Sequence, residues 1–307
     1  MHKRWHVALL VLLITLTWGY AWVHMKIGLA YMGPFTFSAW RFGIGTLTLL
    51  LVLCFRKKLL PKRTHIPGIA VVGFLQTTCV FSLVMYAIRF VAAGKSSVLL
   101  YSMPIWSSLL AVHFLEERLN VRKLTGVLLG GVGLCFIVGW DVFIQRETST
   151  ALGECLIVLA ALSWALANIY VKKRFSDVDT LQVSTYQMGF GTIGLILGAL
   201  VVEWGDPVVF NATSIVAVLF TGVLASAFCF TAWFFVLSVI DTTTATISTM
   251  LVPVFGLYFS WLVLDEALNW QTIVGTLLIL SGILVTQIRG PKERSAVRGS
   301  AADAADV

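Results

Sequence analysis

Long apolar runs alternate with short polar connections along the whole chain. A helix that crosses the hydrocarbon core of a bilayer needs about 20 apolar residues, and the sequence contains ten stretches of this kind. In chain order, spans 1 to 10 cover residues 7–27, 36–55, 68–90, 95–115, 123–141, 152–171, 181–202, 213–238, 244–264 and 270–288. The pattern therefore predicts an all-α integral membrane protein with ten transmembrane helices.

Composition supports the same class. Of the 307 residues, 58% are hydrophobic and 12% are charged, and the mean hydropathy is +0.90. A soluble domain typically carries about 25% charged residues, so this chain cannot cover itself against water. The formal net charge is +7, but the basic residues lie in clusters between the apolar runs. That arrangement indicates the cytoplasmic face of a membrane rather than a nucleic-acid partner.

The distribution of Lys and Arg predicts the orientation. With a cytoplasmic N-terminus, 17 of these residues fall in the inner connections and tails, and 4 fall in the outer connections. The positive-inside rule therefore places both termini in the cytoplasm of a cell, as expected for a multi-pass protein of the cell (inner) membrane. Residues 291–307 are polar and Ala-rich, and we expect a disordered cytoplasmic tail.

The second half of the chain repeats short motifs of the first half in the same order. Thr17-Trp18-Gly19 resembles Ser163-Trp164-Ala165 at an offset of 146 residues. Further pairs at offsets of 146 or 149 are Lys26/Lys172, Gly43/Gly189, Gly45/Gly191, Pro104/Pro253, Glu116-Glu117/Asp265-Glu266, Leu119/Leu268, Gly126/Gly275 and Gly133/Gly282. Such a series predicts an internal duplication, with residues 1–145 and 146–290 as the two repeats.

Each predicted repeat contains five spans. Because five is odd, the second copy enters the bilayer in the opposite orientation to the first. Inverted repeats are typical of secondary transporters, whose binding site lies near the membrane midplane where the repeats meet. The duplication therefore predicts a transporter.

The chain resembles the drug/metabolite transporter superfamily, specifically its EamA-type exporters with ten spans. The likeness covers about residues 7–288. It rests on Trp18-Gly19 and Trp164-Ala165, on Arg41-Phe42, and on the Pro…Glu-x-Leu…Gly series that ends each half. It implies a central cavity lined mainly by spans 1, 3, 4, 6, 8 and 9. Known members export amino acids, related metabolites or drugs, so the resemblance implies export without naming a substrate.

Aromatic, hydroxyl and amide side chains share helix faces within these spans. Trp18 and Trp22 are four residues apart and lie on one face of span 1, and Trp164 and Asn168 are their counterparts in span 6. We predict that the substrate-binding residues are Trp18, Trp22, Gln76, Thr77, Ser97, Tyr101, Trp164, Asn168, Phe230, Trp233, Thr246 and Met250. Such a lining suits a substrate with polar and apolar parts. Packing between helices is the alternative role for the aromatic residues.

Pro104 and Pro253 occupy equivalent places in spans 4 and 9, and each removes one intrahelical hydrogen bond. We predict that both are hinges, with ordinary tolerance of proline in membrane helices as the alternative. The hairpins of spans 3–4 and 8–9 would move against the other spans. Pairs with GxxxG spacing, Gly126/Gly130 and Gly194/Gly198, permit close packing within the chain or in a dimer. We expect a monomer or a weak homodimer.

Arg41 is the one basic residue well inside a span. We assign it a structural role, in which its charge reaches the interface or pairs with Glu154 or Glu203. No carboxylate falls at mid-span, which favours facilitated efflux over proton coupling. The five cysteines are far apart and the five histidines form no ligand motif, so we expect no metal and no cofactor. Without a GxSG or HExxH motif or paired mid-span aspartates, we predict no catalytic residues and no enzyme.

These features together predict export of small uncharged or zwitterionic metabolites, with amino acids or related compounds as the substrate class. A multidrug efflux pump for lipophilic compounds is the alternative, and an acid in the cavity would favour it. An exchanger of anionic metabolites would need cationic groups that face the cavity, and only Arg41 and Lys95 qualify. The expected partners are a small-molecule substrate and the lipid bilayer, without nucleic acid.

Overall fold

A computed structural model describes residues 2–56, 60–116, 121–140, 148–175, 178–239 and 248–287. This part of the chain is helical and contains no β-strand. The predicted all-α class is therefore confirmed. The predicted site residue Thr246 and the predicted tail 291–307 lie outside the described residues.

The helices follow the apolar runs closely. In chain order they are α1 (His2–Gly28), α2 (Pro34–Phe55), α3 (Ile66–Gly73), α4 (Val80–Ala87), α5 (Ala93–Leu100), α6 (Met103–Phe114), α7 (Val121–Trp140), α8 (Thr148–Arg174), α9 (Thr180–Val202), α10 (Ala212–Leu219), α11 (Cys229–Val239), α12 (Leu251–Leu264) and α13 (Trp270–Gln287). A 3₁₀ turn, Arg63–His65, precedes α3. Two π-helical segments, Phe74–Cys79 and Phe220–Phe228, join α3 to α4 and α10 to α11.

Eight of the described helical stretches are long and apolar enough to cross a membrane. They correspond to predicted spans 1 to 8. Helices α12 and α13 are also apolar but shorter, and they coincide with predicted spans 9 and 10. The part of span 9 before residue 248 lies outside the described residues.

Helix irregularities occur at matching places in the two halves of the chain. The π-helical segments interrupt predicted spans 3 and 8. The helices that contain Pro104 and Pro253 begin just before these residues, at Met103 and Leu251. Glu116 and Asp265, which follow α6 and α12, have φ angles of 54° and 53° and are the non-glycine residues with positive φ in the described chain.

Small residues hold the helices close together. A Cβ added at Gly126 would lie 2.5 Å from the carbonyl oxygen of Gly282, so α7 and α13 touch main chain to main chain. The other GxxxG glycines meet side chains of this chain as well: Gly130 meets Ile105, Gly194 meets Thr78 and Gly198 meets Phe35. Packing within the chain therefore accounts for both GxxxG pairs.

Polar contacts tie together one end of the bundle, which we call the sealed end. The Glu203 carboxylate accepts hydrogen bonds from the amides of Phe35 and Thr36, both at 2.8 Å, and so caps the start of α2. The Glu266 carboxylate accepts from the amides of Ala93 and Gly94, at 2.8 and 3.2 Å, and caps the start of α5. These contacts supply partners to amides that a helix start leaves free.

Two lysines reinforce the sealed end. Lys26 donates to the carbonyl oxygens of Ile88 and Val91, and Lys95 pairs with Glu154 at 3.0 Å. Helix α8 has 27 residues and begins at this end. At 1.5 Å per residue it carries Lys172 to the opposite end of the bundle, which we call the basic end.

Candidate functional site

An internal cavity of about 630 Å³ lies among the helices. This volume is within the range of small-molecule sites, roughly 300–1,000 Å³. Its aromatic lining is Trp18, Trp22, Phe42, Phe81, Tyr101, Trp164, Phe230 and Trp233. Its uncharged polar lining includes Gln76, Thr77, Ser107, Ser108, Asn168, Thr180, Ser184, Gln187, Thr249 and Thr286. The cavity therefore offers apolar surface and hydrogen-bonding groups together.

The cavity extends to the basic end of the bundle. Lys123 and Lys172 belong to its lining, and Lys172 is exposed. Towards the sealed end its lining residues Trp22 and Met25 are buried. The cavity therefore opens at one end and is closed by protein at the other.

Most of the predicted binding residues lie together on this cavity. Those that line it are Trp18, Trp22, Gln76, Thr77, Tyr101, Trp164, Asn168, Phe230 and Trp233, together with the predicted hinge Pro104. Ser97, Met250 and the predicted hinge Pro253 lie outside the lining. Ser97 is fully buried and donates to the carbonyl of Gly94 at 2.7 Å. Met250 packs against the main apolar core, and Pro253 is buried.

The tryptophan of α1 is fixed by the π-helical segment that follows α10. The indole N–H of Trp18 donates to the carbonyl oxygen of Ala225 at 2.8 Å. Its ring lies edge-on to Phe230, with centroids 6.0 Å apart, and 5.8 Å from the ring of Trp233. Aromatic pairs at these separations are attractive. Three rings therefore form one stable wall of the cavity.

A second wall is built from α2, α4, α8 and α9. Phe81 lies 4.4 Å from Phe42 and 6.4 Å from Trp164, measured between ring centroids. The hydroxyl of Thr77 donates to the amide oxygen of Gln187 at 2.8 Å. Thr77 belongs to the other π-helical segment, and such segments are frequent at functional sites.

Arg41 lies on the cavity and has a different environment from the one the sequence suggested. Its side chain is buried, with 7% exposed. The guanidinium carbon is 4.8 Å from the Phe42 centroid and 4.7 Å from the Phe81 centroid, and Nη1 donates to the sulfur of Met25 at 3.0 Å. The expected pairing with Glu154 or Glu203 was therefore wrong, because Glu154 pairs with Lys95 and Glu203 caps the start of α2.

Gln187, the repeat counterpart of Arg41, also lines the cavity, although neither residue was predicted to bind the substrate. It stands 146 positions after Arg41, the same offset that joins Trp18 to Trp164. Both members of each pair line the cavity. The duplication therefore relates Arg41 to Gln187 as it relates Trp18 to Trp164, but the pairing of a charged with a neutral side chain argued against a shared role in binding. Phe42, Phe81 and Ser184 carry no comparable signal.

Acidic side chains are absent from the cavity lining among the described residues. Within the same residues, no three His, Cys, Asp or Glu side chains lie together as a metal site would require. The charge on the described lining comes from Arg41, Lys123 and Lys172.

Long apolar helices around a cavity that opens at one end are the arrangement that membrane transporters use. The model of the EamA-like transporter family matches residues 5–139 and, a second time, residues 151–288. The chain belongs to this family.

Relatives of this chain span nearly its whole length. The uncharacterized transporter YoaV of Bacillus subtilis is 34% identical over 91% of this chain and 96% of its own. A probable amino-acid metabolite efflux pump of Salmonella typhimurium is 25% identical, over 90% of this chain and 93% of its own. A protein of the same name from Escherichia coli is also 25% identical, over 94% and 97%.

A solved crystal structure shares the fold. It matches this chain with a TM-score of 0.63 and 19% sequence identity, over 91% of this chain and 96% of that one. The helical arrangement described above is therefore one that an experimental structure also has.

Proposed function

We propose that this chain exports small uncharged or zwitterionic metabolites, with amino acids or related compounds as the substrate class. The observation that carries the proposal is the cavity of about 630 Å³, lined by aromatic rings together with hydroxyl and amide groups. An apolar or aromatic amino acid has both a hydrophobic side chain and polar groups that this lining would contact. Two relatives named as probable amino-acid metabolite efflux pumps support the same substrate class.

The proposed architecture is ten transmembrane helices in two inverted repeats, residues 1–145 and 146–290. Three observations support it. The family model matches the chain twice. The π-helical segments and the helix starts before Pro104 and Pro253 recur in both halves. The residues with positive φ, Glu116 and Asp265, are 149 positions apart, which is the offset between the two prolines.

The proposed orientation places the basic end in the cytoplasm of a cell, with both termini on that side. The excess of Lys and Arg at the predicted inner connections supports it. The structure then corresponds to an inward-facing state, because the cavity reaches Lys172 and is closed at the sealed end. We propose that the protein acts as a monomer or a weak homodimer in the inner membrane.

Alternating access would follow from motion of two hairpins. In the inward-facing state α5 packs against α12 at the sealed end, where a Cβ on Gly94 would lie 3.0 Å from Leu257 Cα and from Ser260 Cβ. Opening at that end requires this contact to separate while the basic end closes. The interruption between α5 and α6, just before Pro104, and the start of α12 at Leu251, just before Pro253, are suitable hinges.

Multidrug efflux is less well supported by the cavity. Lipophilic cations are best accommodated where an acid balances their charge. The described lining contains basic groups instead. Basic groups on the lining are compatible with zwitterionic substrates, which carry a carboxylate.

Transport into purified proteoliposomes tests the proposal directly. A panel of labelled amino acids should reveal at least one that is taken up saturably by protein-containing vesicles and not by empty ones. We expect this uptake to persist without a pH gradient, because no acid lies on the described lining. Transport of lipophilic cations alone, with no amino acid carried, would overturn the proposal.

A further inference from the structure

Arg41 has an unusual position for a cation. It lies in the 22-residue apolar helix α2 and has only 7% of its surface exposed. A charge in such a place is costly unless a group of opposite charge or several hydrogen bonds offset it. In soluble and membrane proteins alike, an arginine of this kind usually has a carboxylate partner.

The hydrogen-bonding capacity of Arg41 is largely unused within the described chain. A guanidinium has five N–H donors. Nη1 donates to the sulfur of Met25, which is a weak acceptor, and Nε has no partner. The rings of Phe42 and Phe81 hold the guanidinium carbon at 4.8 and 4.7 Å, but rings accept few hydrogen bonds. The side chain is therefore held in place with its hydrogen-bonding capacity only partly satisfied, although Nε itself is buried.

The acids of the sealed end have other partners. Glu154 pairs with Lys95, Glu203 caps α2, and Glu266 caps α5. The cavity lining of the described residues contributes no Asp or Glu. The protein therefore leaves a positive charge on the cavity wall that a bound anion would neutralise.

Uncharged polar groups on the same cavity lining as Arg41 suit the same anion. Tyr101 and Gln187 line the cavity with it. The amide of Gln187 is oriented by the 2.8 Å hydrogen bond that its oxygen accepts from Thr77, so its nitrogen remains as a donor group. A carboxylate bound at Arg41 would form charge-assisted hydrogen bonds, which are stronger than those between neutral groups.

We propose that Arg41 binds the carboxylate of the transported metabolite, and that the cavity selects its substrates by this group rather than by an ammonium group. The inference rests on the proposed transport function and narrows its substrate class. Monocarboxylates that lack an amino group become substrates as well. Amines that lack a carboxylate do not, since the described lining has no acid to bind them.

Phenylalanine and its two truncated analogues form a matched set of probes. Phenylpropionate lacks the ammonium group and phenethylamine lacks the carboxylate, while the ring is unchanged. Thermal stabilisation of the detergent-purified protein reports binding, and inhibition of labelled phenylalanine uptake into proteoliposomes reports the transport site. We expect phenylpropionate to act at concentrations similar to phenylalanine. Phenethylamine should need at least about tenfold more, because it cannot form the charge-assisted bonds.

Variants of Arg41 test the residue itself. Arg41→Met should weaken phenylalanine and phenylpropionate by about tenfold or more and leave phenethylamine unchanged. Arg41→Lys should retain the preference for carboxylates. Arg89→Met is the matched control: Arg89 also lies near two rings, Tyr86 and Phe90, but it is exposed and outside the cavity. It should behave as the unchanged protein.

The outcomes separate the two proposals. Equal action of phenethylamine and phenylpropionate on the unchanged protein overturns the assignment of Arg41, and this result does not depend on any variant folding. A carboxylate preference that persists in Arg41→Met also overturns the assignment of Arg41. Its role would then be structural, in the packing of α2 against α4. Carboxylate-selective stabilisation without uptake of any amino acid keeps the assignment and removes the transport proposal.

Discussion

The carboxylate of Glu266 accepts a hydrogen bond of 2.8 Å from the main-chain amide of Ala93, although the two residues are 173 positions apart. The same carboxylate accepts from the hydroxyl of Ser260 and from the amide of Gly94. The start of α5 is thereby tied to the end of α12. In the proposed cycle these two helices must separate for the sealed end to open.

Replacing Glu266 with glutamine should therefore favour opening at the sealed end. The variant keeps the shape of the side chain but loses its charge, and a helix cap is worth about 1 kcal/mol. The open population should rise about fivefold. A single cysteine at Ala21, which is buried on the cavity, would report this in a chain free of its five native cysteines. A membrane-impermeant maleimide added to intact cells should label it faster.

Glu203→Gln is the control for that experiment. Glu203 also caps a helix start, but it joins α9 to α2 rather than the two proposed mobile hairpins. Its replacement should lower the melting temperature without changing the labelling at position 21. An equal increase in the labelling rate for both variants would show that the Glu266 contact does not specifically control opening at the sealed end.

Trp18→Ala and Trp164→Ala should impair export without lowering the amount of protein in the membrane. Trp18 loses its hydrogen bond to Ala225 and its contacts with Phe230 and Trp233, so we expect uptake in proteoliposomes to fall about tenfold or more. Trp18→Phe should have a smaller effect because a ring remains. Trp204→Ala, at a residue 79% exposed, should transport normally. Normal transport by both cavity variants would remove these tryptophans from the site.

Gly282→Ala should destabilise the helix pair α7 and α13. A Cβ at Gly282 would lie 2.6 Å from both the carbonyl oxygen of Gly126 and the amide nitrogen of Gly130, where the main chain cannot yield easily. Overpacking of this kind costs about 1–3 kcal/mol. Gly131→Ala is the matched control, because nothing lies within 4 Å of the added atom. Melting temperatures in detergent should fall for the first variant alone.

Labelling from the two sides of the membrane tests the proposed orientation. A cysteine at Lys172, on the basic end, should react with an impermeant reagent in inside-out vesicles only. A cysteine at Asp206, which is exposed after the sealed end of α9, should react in intact cells. Reaction of both from the same side would contradict the helix arrangement, and reversal of both would contradict the orientation alone.

The sequence predicted the helices well because a membrane requires long apolar segments with internally satisfied backbones. It also predicted that Trp18 and Trp164 line a cavity, because they are mid-span aromatic residues at equivalent places in the duplication. The sequence did not reveal that Ser97 lies outside the cavity lining. This residue lies where α5 and α12 pack closely, and a Cβ on Gly256 would be 2.4 Å from the Ser97 hydroxyl. Which face of a helix meets a neighbour depends on packing partners that periodicity alone does not reveal.

Arg41 shows a second limit. Its distance from the end of its span suggested an exposed or paired charge, but the rings of Phe42 and Phe81 turn it towards the cavity. The π-helical segments were equally invisible, since no proline marks them. Each adds a residue to a turn and rotates the following helix face, and so sets which side chains of predicted spans 3 and 8 reach the site.

The contacts at the sealed end also limit how stable this carrier can become. In the proposed cycle the closed gate must open at every turnover, so the free energy that holds α5 to α12 would contribute directly to the barrier for turnover. Substitutions selected only for thermal stability would strengthen the contact between α5 and α12 and lower the turnover rate. In this fold, thermal stability and turnover rate therefore depend on the same few hydrogen bonds around Glu266.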